Sequence, residues 1–219
     1  AQADHVNKII FEKIEEQHYT LEKIKKLDNV TLDNNKPIPR ETFEKCKRLT
    51  EKDIDLEINN IIANIPCQQI LHLKIGTIVM CTINLDMDNG ICNGSQGVVS
   101  QIIKENDIYV PYVRFYNGIE KRMNLHFWQS EDYPTISLGQ YPLILAWALT
   151  IHKIQGATLD LAEIDVGNSI FEYGQTYVAL SRVKSLQGLY LSAFEPEKIQ
   201  TNPLVIEFYK SISSLEETK

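Results

Sequence analysis

No glycine in this 219-residue sequence is followed by lysine. That absence removes every G-x-x-x-x-G-K-[ST] loop, whose backbone amides cradle nucleotide phosphates and whose hydroxyl helps hold magnesium. Residues 1–219 therefore contain no complete nucleotide site of that type. Long apolar runs are missing too: no window is long and apolar enough to span a bilayer, so no membrane partner is expected. The amino terminus lacks the basic-then-apolar pattern of a signal peptide. Cysteine is scarce, and Cys46, Cys67, Cys81 and Cys92 form no C-x-x-C pair and have no histidine at ligand spacing. Structural zinc is not expected, and no metal site is assigned; reduced, partly buried thiols of an intracellular protein are the expectation. The opening residues Ala1-Gln2-Ala3-Asp4 lack a methionine, which suggests a piece of a longer protein.

Positive charge is also in deficit, with 22 Lys and Arg against 29 Asp and Glu and a net charge of −7. Nucleic-acid binders tend to be basic, so overall charge argues against a grip on phosphates by this chain alone. A local groove that uses aromatic and backbone contacts remains compatible with it. The length suffices for a well-buried core and one or two domains, and the apolar and charged fractions are those of a folded protein.

In chain order, Asp4 is placed to cap a helix running to about Gln17, with Val6, Ile9, Ile10 and Ile14 on one face. Residues 18–27 read as a short strand and 28–39 as a loop rich in Asn, Asp and Pro. Helical patches follow at about 40–48 and 51–64, the second ended near Pro66. Lys45, Lys47, Arg48 and Lys52 form a basic cluster there, read as a solvated face with strand contact as the alternative.

From Leu73 the period changes from helical to strand-like. Strands are expected over 73–84, 97–104, 108–115 and 119–128, separated by Asp88-Asn-Gly90, Asn93-Gly94, Glu105-Asn-Asp107 and Asn117-Gly118. Short strands joined by tight turns suggest a small barrel over 73–140.

The central stretch is Tyr141-Pro-Leu-Ile-Leu-Ala-Trp-Ala-Leu-Thr-Ile-His-Lys-Ile-Gln-Gly-Ala-Thr-Leu-Asp160. Its apolar run, 143–149, suits a strand buried on both faces. At the end of that run Thr150, His152, Lys153, Gln155 and Gly156 arrive together, where open α/β sheets place their ligands. Residues 161–166 read as the next buried strand, 174–182 as a helix and 185–194 as a further strand. Asn202-Pro203 opens a final helix to about Ser211. Strands and helices alternating around a β insertion imply an α/β fold.

T-x-H-K-x-Q-G-x-T-L-D behind L-A-W-A, followed by Tyr177-Val-Ala-Leu-Ser-Arg-Val183, resembles the fifth and sixth signature motifs of superfamily-one helicases. The nearest pattern is the PIF/RecD-like DNA helicase family. Its members also carry L-K-x-G-x-x-V-M, N-L-D and N-G-x-x-G-x-V segments, found here within 73–99; Asn93-Gly94 can equally be a hairpin turn. The resemblance covers nearly the whole chain but only the carboxyl-terminal half of the enzyme. It implies a RecA-like parallel-sheet layer, 1–72 with 141–219, split by a small Src-homology-type β-barrel at 73–140. The intact protein would be an ATP-dependent 5′-to-3′ DNA helicase using ATP and Mg2+. Its P-loop motor domain would precede Ala1, leaving residues 1–219 alone without bound nucleotide or ATPase activity.

The resemblance also implies site roles. Thr150 and His152 would donate to the backbone of single-stranded DNA, and Lys153 either adds charge there or is merely solvated. Gln155 and Gly156 would face the nucleotide, the glycine permitting close backbone approach. Arg182 resembles the arginine finger that reaches the γ-phosphate, with Gln175 and Tyr177 on the same helix placed to support it; for Tyr177 core packing is the stronger expectation. Ile154 departs from the family pattern, where a small residue is usual, and is expected to pack inward. Two rival readings stand beside this one. In the first, a non-enzymatic single-strand-binding or interaction module would stack bases on barrel aromatics such as Tyr109, Tyr112, Tyr116, Phe127 and Trp128, although core and rim packing is their expected role. The second is a different motor, such as a nuclease-linked RecD subunit or an RNA-directed helicase.

Overall fold

The computed structural model describes residues 2–27 and 38–216; most of the loop read over 28–39 lies outside them. The chain forms two compact units, Ala1–Ala148 and Leu149–Lys219, with the boundary inside the central stretch.

In the first unit, α1 (Gln2–Glu12) is shorter than its apolar spacing suggests. Lys74 explains the early stop: its Nζ donates to the carbonyls of Phe11 at 3.0 Å and Ile14 at 2.7 Å, taking helix-end acceptors that further turns would have used. The segment 18–27 splits into β1 (Tyr19–Glu22) and β2 (Ile24–Leu27). Next come α2 (Arg40–Lys47) and α3 (Glu51–Asn64). A reciprocal cap fixes the start of α3: the Asp53 N–H donates to the Thr50 hydroxyl at 3.3 Å, and the Thr50 N–H donates to the Asp53 carboxylate at 2.9 Å.

The remaining strands are β3 (Ile70–Leu73), β4 (Ile78–Cys81), β5 (Gln96–Glu105), β6 (Ile108–Phe115), β7 (Glu120–Arg122), β8 (His126–Gln129), β9 (Ile136–Gln140) and β10 (Leu143–Leu145). An antiparallel five-stranded sheet runs β10-β4-β5-β6-β7, while β2-β9-β8 and β1-β3 form smaller sheets. Thus β2 and β10 both pair with strands from within 73–140. Asn106 and Asp107, with φ of 46° and 64°, make the tight turn between β5 and β6. Gly97 has a steric reason to be glycine: a Cβ there would lie 2.7 Å from the Arg114 carbonyl oxygen and 2.9 Å from the Phe115 Cα. Leu71, Leu73, Val79, Val99, Val113, Met123 and Leu143 form the main core. A second cluster packs Ile58 and Ile61 of α3 on Ile136 and Leu138 of β9.

The expected long strand over 143–149 is corrected. Only Leu143–Leu145 is strand, and it pairs antiparallel with β4. Beyond it, the Ala148 N–H and carbonyl bond to the side chain of Asn7 instead of to a neighbouring strand. The strand expected over 119–128 is likewise divided, β7 and β8 joining different sheets.

The second unit holds β11 (Ala162–Val166), α4 (Gln175–Leu180), β12 (Leu189–Phe194) and α5 (Pro203–Glu216). The strands β11 and β12 pair in parallel, the arrangement expected of an α/β layer. Ile164, Val166, Ile170 and Ala179 pack where α4 covers β11. A 3-10 turn at Leu186–Gly188 replaces the start of the strand expected at 185.

Candidate nucleic-acid and nucleotide interface

Every site residue read from the sequence falls in the second unit. Residues 150–157 form overlapping tight turns. The Thr150 carbonyl accepts from the N–H of Lys153 at 3.0 Å and Ile154 at 3.3 Å, and Gln155 and Ala157 donate back to His152 and Ile154. Ile154 faces inward and is buried with Ala157 and Leu159 against Leu149 and Ala162. Packing of that side chain turns Thr150, His152, Lys153, Gln155 and Gly156 outward, and all five are exposed. Ile154 therefore anchors the turn, as expected for its departure from the motif.

Gly156 adopts φ +83° with open space where a Cβ would stand. Its left-handed backbone, rather than crowding, calls for glycine.

Arg182 is held by three acceptors. Its Nε donates to the Val178 carbonyl at 3.1 Å, Nη1 to the Ala157 carbonyl at 3.4 Å, and Nη2 to the Ser181 hydroxyl at 3.0 Å. Among the described residues no carboxylate pairs with it, so its charge is oriented by dipoles and is not neutralised. The backbone joins the two motifs as well: Leu159 N–H donates to the Arg182 carbonyl at 2.8 Å and Lys184 N–H to the Leu159 carbonyl at 3.0 Å. Lys184 Nζ meets Asp160 at 2.6 Å across the same junction. Leu159 and Val183 thus form a single parallel bridge between the two motifs. Arg182 directly precedes Val183, and the polar turn leads into Leu159.

Gln175 supports the preceding loop, its Oε1 accepting from the N–H of Phe171 at 3.1 Å and Glu172 at 3.3 Å. The core expectation for Tyr177 is corrected: it is 73% exposed, because α4 buries Thr176 and Ala179 instead. Phe171 and Tyr173, also exposed, lie nearby in sequence.

The aromatics that the sequence offered for base stacking are mostly packed. Tyr109 makes an edge-to-face contact with Tyr19, and Trp128 one with His126. Tyr116 is the most open of them at 58%, which leaves little of a stacking platform. In the basic cluster, Lys47 pairs with Glu44, and Lys45 lies 4.6 Å from the ring centroid of Tyr133. Cys46 and Cys81 are buried, and burial pushes the Cys67 thiol up to about 11. No group of three or more His, Cys, Asp or Glu among the described residues is arranged to hold a metal. Ser181, Ala157 and the Asp160–Lys184 pair were not singled out in the sequence, although Ser181 and Asp160 lie inside the quoted motifs.

The family model described as "DNA helicase Pif1, 2B domain" matches residues 58–102. A human ATP-dependent DNA helicase PIF1 is 39% identical over 188 residues, spanning 84% of this chain and 29% of that protein. The crystal structure of Pif1 helicase from Candida albicans superposes with a TM-score of 0.69 at 28% identity, over 96% of this chain and 47% of that one. Pif1 helicase from Bacteroides, solved in complex with ADP-AlF3 and single-stranded DNA, gives a TM-score of 0.57 at 28% identity, over 97% and 43%. The chain thus spans less than a third of the human relative's length and under half of each solved chain.

Proposed function

We propose, for a chain that belongs to the PIF/RecD-like helicase family, that residues 1–219 are the carboxyl-terminal part of an ATP-dependent 5′-to-3′ DNA helicase. In this reading 1–72 and 141–219 contribute the second RecA-like motor domain, and 73–140 contributes a small Src-homology-type barrel. A P-loop domain elsewhere in the intact protein holds most of the ATP, so residues 1–219 alone neither hydrolyse ATP nor unwind DNA. Binding of ADP-AlF3 and single-stranded DNA by the Bacteroides relative supports both ligands.

The observation that carries the reading is the cradle of Arg182. A guanidinium oriented by two carbonyls and a hydroxyl, with no carboxylate partner among the described residues, keeps its full charge for an incoming anion. Arg182 then stabilises the charge that develops on the transferred phosphoryl group. Gln155 and Gly156 face the nucleotide, the glycine permitting close backbone approach. Thr150, His152 and Lys153 contact the sugar-phosphate backbone of the strand without reading bases. Because the Leu159–Val183 bridge ties the two motifs together, a shift of the strand-binding turn would be felt at the arginine. Magnesium would accompany ATP, but the described residues offer it no ligand set, so no step is assigned to it here.

The test is Arg182→Ala in the intact protein. DNA-stimulated ATP hydrolysis is expected to fall roughly a thousandfold or more, with single-strand affinity unchanged within about twofold. Normal hydrolysis with lost binding would overturn the assignment.

A further inference from the structure

We infer that Ser181 is a positioning residue for Arg182, setting the plane in which the guanidinium meets a phosphate; this rests on the arginine-finger reading above. Ser181 closes α4, its N–H donating to the Tyr177 carbonyl at 2.9 Å. Its hydroxyl donates to the Val178 carbonyl at 3.1 Å and accepts from Arg182 Nη2 at 3.0 Å. The same Val178 carbonyl accepts from Arg182 Nε at 3.1 Å. Carbonyl, hydroxyl and guanidinium thus close a small ring, and the hydroxyl proton has a fixed acceptor.

This ring determines which donors remain. A guanidinium has five N–H groups. Three are engaged, by Val178, Ala157 and Ser181, which leaves one on each terminal nitrogen. These two N–H groups remain available to phosphate oxygens. Of the three acceptors, two are backbone carbonyls that any sequence would supply. The Ser181 hydroxyl is the one the side chain determines, and it is the neighbour of Arg182 in sequence. Without it, Nη2 has two unengaged donors and the guanidinium can rotate about the Nε contact. A misoriented finger slows the chemical step without weakening ground-state binding.

The experiment compares Ser181→Ala, Ser181→Thr and Arg182→Ala in the intact protein, measuring kcat and KM for ATP at saturating single-stranded DNA, DNA affinity and thermal stability. Ser181→Ala is expected to lower kcat about tenfold, with KM and DNA affinity within about twofold. Ser181→Thr, which keeps the hydroxyl, is expected to restore kcat. If Arg182→Ala abolishes hydrolysis while Ser181→Ala turns over normally, the positioning role is wrong and the finger assignment stands. If both Ser181 variants lose kcat and melting temperature alike, Ser181 is structural and the inference fails. Normal hydrolysis by Arg182→Ala would overturn the finger assignment and the inference together.

Discussion

Asn7 and Ala148 hold each other by two hydrogen bonds across 141 residues of sequence: Asn7 Nδ2 donates to the Ala148 carbonyl at 2.7 Å, and the Ala148 N–H donates to Asn7 Oδ1 at 2.8 Å. The side-chain amide thereby substitutes for a neighbouring strand where β10 has ended. Asn7 is buried, so removing it leaves a backbone donor and acceptor without partners. Asn7→Ala is expected to cost about 2–4 kcal/mol, since each unsatisfied group forfeits its desolvation energy. Urea unfolding of the two proteins measures this; a difference below about 0.5 kcal/mol, the size of an ordinary surface change, would mean that water replaces the amide.

Gly97 supplies a second stability prediction, and it gives a physical reason for one glycine of the N-G-x-x-G-x-V segment. The strand β5 is flanked by β4 and β6, with Gly97 opposite Val79 on one side and Phe115 on the other. The atoms that a Cβ would strike include the backbone of Arg114 and Phe115, which no rotamer change relieves. Gly97→Ala is expected to destabilise by about 1–3 kcal/mol or more through forced separation of the strands. A denaturation midpoint equal to that of the parent would show that the sheet has room.

Acid should weaken the fold in a window set by histidines. Burial, followed by the neighbouring His72 and Lys74, lowers the affinity of His18 for a proton, and burial alone lowers that of His126. Unfolded histidines protonate near 6.5, so below that pH the unfolded chain binds more protons than the folded one. Their stabilising contribution is therefore complete above about 6.5 and declines as pH falls through the lowered folded values. Urea midpoints should drop between pH 7.5 and 5.5, and the drop should be smaller in the His18→Gln, His126→Gln double variant. An unchanged or reversed slope would contradict the sign.

The residues of the candidate site could be picked out as a group in the sequence because they are close neighbours along it, on one turn and at the end of one helix. The extent of α3 was also legible from its helical pattern and from Pro66 beyond its end, and the structure adds the Thr50–Asp53 cap at its start. Other features were hidden by partners distant in sequence. The strand β9 was missed because its alternating run, Ile136-Ser-Leu-Gly-Gln140, is only five residues long and carries a glycine that weakens a strand signal. Its glutamine is buried without penalty because Gln140 Nε2 donates to the carbonyls of Leu21, Gln68 and Gln69. The run 143–149 read as one strand because nothing local reveals that Asn7 takes the backbone of Ala148. Tyr177 was expected in the core because its neighbours are apolar, although α4 buries Thr176 and Ala179.

The polar turn should bind strand through its exposed donors. The side chains of Thr150, His152 and Lys153 have no partner among the described residues, and Ile154 anchors the turn beneath them. Contacts of this kind position a phosphate backbone without reading sequence, so affinity for oligo-dT and for mixed single strands should fall together. In the intact protein, His152→Ala is expected to weaken binding about tenfold, the value of a hydrogen bond to a charged oxygen. Lys153→Ala should flatten the dependence of log affinity on log salt by about 0.7, the slope of one single-strand phosphate contact. Fluorescence anisotropy of labelled oligonucleotides at several salt concentrations reads both effects. Should His152→Ala bind normally while Trp128→Ala loses affinity, the strand would run over the β-rich unit, and the turn at 150–156 would have to be removed from the DNA path.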